Sequence, residues 1–148
     1  DQKPEMSARL ITEKLTTAIK NDQHDFYVVN YANSDMVGHT GKFEAAIQAV
    51  EILDECVEKL VTTCLEKGLA VLLTADHGNS DQMMYKDGVP HTSHTGSPVP
   101  FCLIHKDLKG VKLKLNQPEN ALMNVSPTVL YVMGLEQPST FEGKSIFK

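Results

Sequence analysis

The chain has 148 residues, 41% hydrophobic and 22% charged, which are the proportions of an ordinary soluble domain long enough for a sizeable core. A net charge of −5 and the lack of a basic stripe exclude an electrostatic nucleic-acid binder. No apolar run approaches the roughly 18 residues of a membrane span, and no signal peptide is visible.

In chain order, the spacing of Leu10/Ile11, Leu15 and Ala18/Ile19 predicts a helix over 7–21, with Ser7 suited to cap it. Asp25–Asn30 is a short run rich in β-branched and aromatic residues and reads as a buried strand. The strongest element is a helix over 42–67. Phe43, Ala46/Ile47, Val50, Leu53, Val57, Leu60/Val61 and Cys64/Leu65 recur every three or four positions, and Gly68 ends it. Its apolar stripe is expected to pack on a sheet. Leu69–Thr74 reads as a second buried strand. Residues 76–98 form a long loop carrying Gly78, Gly88, Pro90, Gly96 and Pro98, and loops of that length in compact domains are usually functional. Val99–Ile104 reads as a third strand, with Pro100 near its start. Val111–Leu115 is a candidate fourth. Ser126 and Pro127 suit the N-cap and first position of a last helix ended by Gly134. Strand–helix–strand alternation argues for an α/β fold with parallel strands.

Cysteine use fits a reduced, cytoplasmic protein. There are three cysteines. Cys56 and Cys64 fall on one predicted helix roughly 12 Å apart at about 1.5 Å per residue, beyond the reach of about 7 Å for a disulfide. No Cys-x-x-Cys pair exists, so small buried apolar side chains are their expected role. The chain begins at Asp1 without a methionine, and a piece of something longer is expected.

Five candidate metal ligands fall in three segments: Asp35-Met-Val-Gly-His39, Thr74-Ala-Asp76-His77-Gly78-Asn79 and Pro90-His91-Thr-Ser-His94. Carboxylates and imidazoles are the ligands of hard-to-borderline divalent ions. In α/β sheets, ligands gather at the carboxyl ends of strands. Asp35 follows the first predicted strand and Asp76 ends the second, so a parallel pair places both on one edge. His94 reaches that edge if Val99–Ile104 runs antiparallel. Each segment alone is ordinary: Asp35 and His39 as a coincidence of spacing, Asp76-His77-Gly78 as a turn, His91 and His94 as surface loop. Together at strand ends they point to metal. His24 and His105 stand at strand edges without companion ligands and receive no function.

Asn30-Tyr-Ala-Asn-Ser-Asp35-Met-Val-Gly-His39-Thr-Gly41 with Phe43-Glu-Ala-Ala resembles the cofactor-independent (2,3-bisphosphoglycerate-independent) phosphoglycerate mutases. So do Thr74–Asn79, Pro90-His-Thr-Ser-His94-Thr with Pro98-Val-Pro-Phe, Lys3-Pro-Glu-Met-Ser-Ala, and Pro127-Thr-Val-Leu through Gly143-Lys-Ser. The Asp-His-Gly and final His elements are shared across the alkaline phosphatase-like superfamily. The Asn30–Gly41 stretch is much more specific to the mutases.

The resemblance implies an α/β, alkaline phosphatase-like three-layer fold with a mostly parallel sheet. Residues 1–148 correspond to the C-terminal segment of its metal-binding domain; the N-terminal segment and an inserted phosphotransferase domain are not matched. It implies that Asp35, His39 and His94 hold one divalent ion, usually manganese. Asp76 and His77 hold a second with upstream residues. In the full-length protein a serine attacks the phosphate of 3-phosphoglycerate. A phosphoserine forms, and phosphate returns to the other hydroxyl to give 2-phosphoglycerate. No segment here matches that serine or the substrate-gripping arginines, so this chain alone is expected to be inactive. Metal affinity is expected to fall below about pH 6, where histidines take protons. The full-length protein is expected to be a monomer, and this piece is expected to self-associate through an exposed sheet edge. The alternatives are a phosphopentomutase or phosphodiesterase of the same superfamily, which should lack the Asn30–Gly41 match, and a catalytically dead metal-binding module encoded by a short reading frame.

Overall fold

A computed structural model of the chain describes residues 3–108 and 122–147. Its elements are α1 (Ala8–Lys20), α2 (Asn33–Gly38), α3 (Phe43–Glu66), β1 (Val71–Thr74), β2 (Phe101–Ile104) and α4 (Val125–Val132). Short 3-10 turns cover Lys106–Leu108 and Leu122–Asn124. The candidate strand Val111–Leu115 lies outside the described residues. No helix among the described residues is long and apolar enough to cross a membrane.

Helix α1 spans nearly the predicted range but buries a face that shares only Ile19 with the predicted stripe. Ala8, Thr12, Thr16 and Ile19 are buried, while Leu10 and Ile11 are exposed. Threonine is tolerated inside because each hydroxyl is satisfied locally. Thr12 Oγ1 donates to the Ala8 carbonyl at 2.8 Å, and Thr16 Oγ1 to the Thr12 carbonyl at 2.8 Å. Ser7 stands at the N-cap, yet its side chain makes no capping bond.

Asp25–Asn30 is not the buried strand its composition predicts: Asp25 stands in a bend and the residues after it form neither helix nor strand. It pairs with no other strand among the described residues, and Phe26, Val28 and Val29 are exposed, Val28 at 78%. Its tyrosines and a following asparagine tie it down. Tyr27 Oη donates to the Ala18 carbonyl at 3.2 Å, Tyr31 Oη meets Thr12 Oγ1 at 2.6 Å, and Asn33 Nδ2 donates to the Pro4 carbonyl at 2.7 Å. The segment therefore runs along α1 and delivers the chain into α2.

Helix α3 matches its predicted range to within a residue at each end and stops where Gly68 takes φ +72°. It packs against α1 and α2. The buried residues are Ala45, Ala46, Ala49, Cys56, Leu60 and Thr63. The expected stripe on a sheet is only partly used, because Phe43, Ile47 and Val50 stay exposed. Alanines allow the close approach of α2. With Val37 and Met83 they form the core cluster directly beneath the Asp35–His39 turn.

The two strands pair antiparallel, with Val71 opposite Ile104 and Thr74 opposite Phe101. This is the orientation needed to return residue 94 to the end of β1. The pairing described is therefore antiparallel, and no parallel ladder occurs among the described residues. Both strands are two residues shorter than predicted at their starts. The last helix begins one residue before Ser126, with Asn124 at the N-cap position. Asn124 takes that place because Leu122–Asn124 already forms a helical turn leading into it. Gly134, at φ +70°, follows its last turn as expected.

Candidate metal centre

Asp35 lies in the first turn of α2, and His39 is its C-cap with helical backbone angles. Residues four apart on a helix share a face, so this turn aims both side chains the same way. His94 comes from the far limb of the long loop. That limb is held by a short antiparallel bridge between Gly78 and Thr95, in which the Thr95 N–H donates to the Gly78 carbonyl at 2.8 Å.

The three ligand atoms form a near-equilateral triangle. His39 Nε2 stands 3.2 Å from Asp35 Oδ1, His94 Nε2 3.3 Å from Asp35 Oδ1, and the two histidine nitrogens 3.2 Å apart. Bonds of about 2.1 Å at angles between octahedral and tetrahedral separate neighbouring donors by about 3.0–3.4 Å. The triangle fits that range. It is the only group of three or more such ligands among the described residues.

The chemistry of the donors fits as well. His39 Nδ1 lies 2.7 Å from the Thr92 carbonyl, which only accepts, so Nδ1 carries the proton. In the neutral ring Nε2 then turns a lone pair toward a carboxylate oxygen, an arrangement that a cation between them stabilises. All three side chains are about a third to a half exposed, so an ion and a further ligand can reach them.

Asp76 and His77 form a pair immediately after β1. His77 Nε2 is 3.6 Å from Asp76 Oδ2, and Asp76 is largely exposed. The His77 ring stacks on that of His94 with centroids 3.6 Å apart and planes 16° from parallel. No third ligand joins this pair among the described residues. His91 stays out of the cluster. It is buried, its N–H donates to the Met83 carbonyl at 3.0 Å, and its ring meets Tyr85.

Three supporting residues escape sequence reading. Asn79 Nδ2 donates to Asp35 Oδ1 at 2.7 Å, and Ser80 Oγ donates to the Ser34 carbonyl at 2.7 Å. Asp81 accepts from the Thr95 hydroxyl at 2.9 Å. Hydrogen bonds from Ser97, and then Thr95, hold the Asp81 carboxyl below its ordinary range, although burial pulls the other way. The turn 78–81 thus clasps both α2 and the His94 limb. The only sequence signal was the Gly-Asn-Ser-Asp run after His77, which by itself reads as a turn.

The family description "Metalloenzyme superfamily" matches residues 1–137, and the chain belongs to that superfamily. Within it, the chain is similar to 2,3-bisphosphoglycerate-independent phosphoglycerate mutases. The Moorella thermoacetica protein is 47% identical over 99% of this chain and 27% of its own length. The Clostridium novyi protein is 48% identical over 100% of this chain and 29% of its own. A crystal structure of Leishmania mexicana phosphoglycerate mutase at low cobalt concentration superposes with a TM-score of 0.86 at 35% identity, covering 97% of this chain and 28% of that one. The chain therefore spans less than a third of the length of the curated relatives it matches. The mutase resemblance read from the motifs holds along the chain, and the fold class is the α/β class of this superfamily.

Proposed function

We propose that this chain is the C-terminal segment of the metal-binding domain of a cofactor-independent phosphoglycerate mutase. The intact protein interconverts 3-phosphoglycerate and 2-phosphoglycerate through a phosphoserine. The observation that carries the reading is the Asp35/His39/His94 triangle, formed by the motifs that most resemble the mutases. In this reading Asp35, His39 and His94 hold one divalent ion, manganese by family. Asp76 and His77 supply part of a second site, completed by residues outside this chain. A bound ion there offsets phosphoryl charge and lowers the pKa of a hydroxyl nucleophile.

The chain's own contribution is positional. The Thr92 carbonyl fixes the His39 tautomer, the His77 ring braces His94, and the small residues of α3 seat the α2 turn. The nucleophilic serine has no counterpart here, so this segment alone does not turn over substrate. The reaction is cytoplasmic.

A manganese titration by calorimetry, beside His94→Ala, tests the site. One stoichiometric site lost in the variant is the expected result. The intact protein should also convert 3-phosphoglycerate and lose that activity in His94→Ala. Undiminished manganese binding and turnover in the variant would sink the assignment.

A further inference from the structure

We propose that Asn79 is a positioning residue: its side-chain N–H aims Asp35 Oδ1 into the triangle and so sets the affinity of the site for a divalent cation. The proposal rests on the metal reading above. Asn79 is only 5% exposed, and its Nδ2 reaches both Asp35 Oδ1 at 2.7 Å and the Asp35 carbonyl at 3.3 Å. The amide cannot be turned round without setting its oxygen against the carboxylate, so the donor faces Asp35.

Two costs accompany this placement, the first from the amide's orientation and the second from the position of the side chain. The Asn79 Oδ1 is buried with no hydrogen-bond partner. An apolar side chain of the same size would avoid that penalty. The second cost is Gly38, the last residue of α2, a place that can carry no side chain. Its φ is not in the left-handed region, so it is not required by the backbone. It is required by space: a Cβ there would stand 2.8 Å from Asn79 Cγ and nearer still to Oδ1. The fold gives up a side chain at position 38 and a satisfied oxygen, and retains one N–H directed at a ligand carboxylate. Partners of this kind tune metal affinity by orienting the ligand.

The test is a manganese titration of the intact protein by calorimetry, with wild type, His94→Ala, Asn79→Ala and Asn79→Leu. Both Asn79 variants should bind about 10–100-fold more weakly than wild type, with metal-free thermal midpoints similar to each other. The visible absorption of the cobalt-loaded protein should shift in both, because Asp35 is no longer held in direction. Asn79→Leu keeps the branched shape without the donor and carries the test if the alanine variant does not fold. Wild-type affinity in Asn79→Leu, with binding abolished in His94→Ala, would overturn the role of Asn79 and leave the metal site standing. Undiminished binding in His94→Ala would overturn both.

Discussion

Thr92 offers no side chain to the cluster, yet its carbonyl decides which nitrogen of His39 faces Asp35. Main-chain partners of this kind leave no trace in residue type, which is why the candidate ligands were legible in the sequence and their supports were not. Asp35, His39 and His94 announce themselves by chemistry and spacing. Asn79 and Asp81 look like turn formers until the fold sets them against α2 and Thr95. Tyr31 is a similar case away from the site. Burial pushes its phenol above the ordinary 10.0, and burial pushes the Cys64 thiol above the ordinary 9.0. The folded state then keeps these protons more tightly than the unfolded chain. The stability they contribute is present below the ordinary values and is lost as pH rises through the raised ones. Urea unfolding across the alkaline range should show a shallower decline for Tyr31→Phe than for wild type. Equal slopes would remove Tyr31 from that account.

At the scale of elements, periodicity found both long helices but only part of the face each buries. Apolar spacing along α3 marks a wide stripe, and nothing local says which edge meets a neighbour. The answer is set by the size of α2's contact, which favours the alanine edge. Ala49 is fully buried in that contact, whereas Val50 beside it is half exposed. Ala49→Leu should therefore cost about 1–3 kcal/mol through overpacking, and Val50→Ser should stay within about 0.5 kcal/mol. Denaturant midpoints of the two variants check this, and reversed costs would contradict the packing. The Asp25–Asn30 strand failed for a related reason. Composition marks residues that suit a strand, but a ladder needs a second strand, and that information is not local.

Considered whole, the described molecule carries an exposed apolar segment, Phe26–Val29, without a sheet partner, and an exposed Phe43–Ile47–Val50 face on α3. Unpaired strand edges invite pairing with another copy. Sedimentation of this chain should show association that grows with concentration and is suppressed by Val28→Lys. A clean monomer at high concentration would count against it. The triangle has a consequence for folding as well. Its histidines are 55 positions apart, and the chain between them includes α3, β1 and most of the long loop. All three cysteines are free, so no disulfide closes that stretch. An ion held at the triangle would act as a detachable staple, adding stability in proportion to the logarithm of its concentration. A chelator would cut the staple without breaking a covalent bond, making the tether between α2 and the loop as adjustable as the supply of metal.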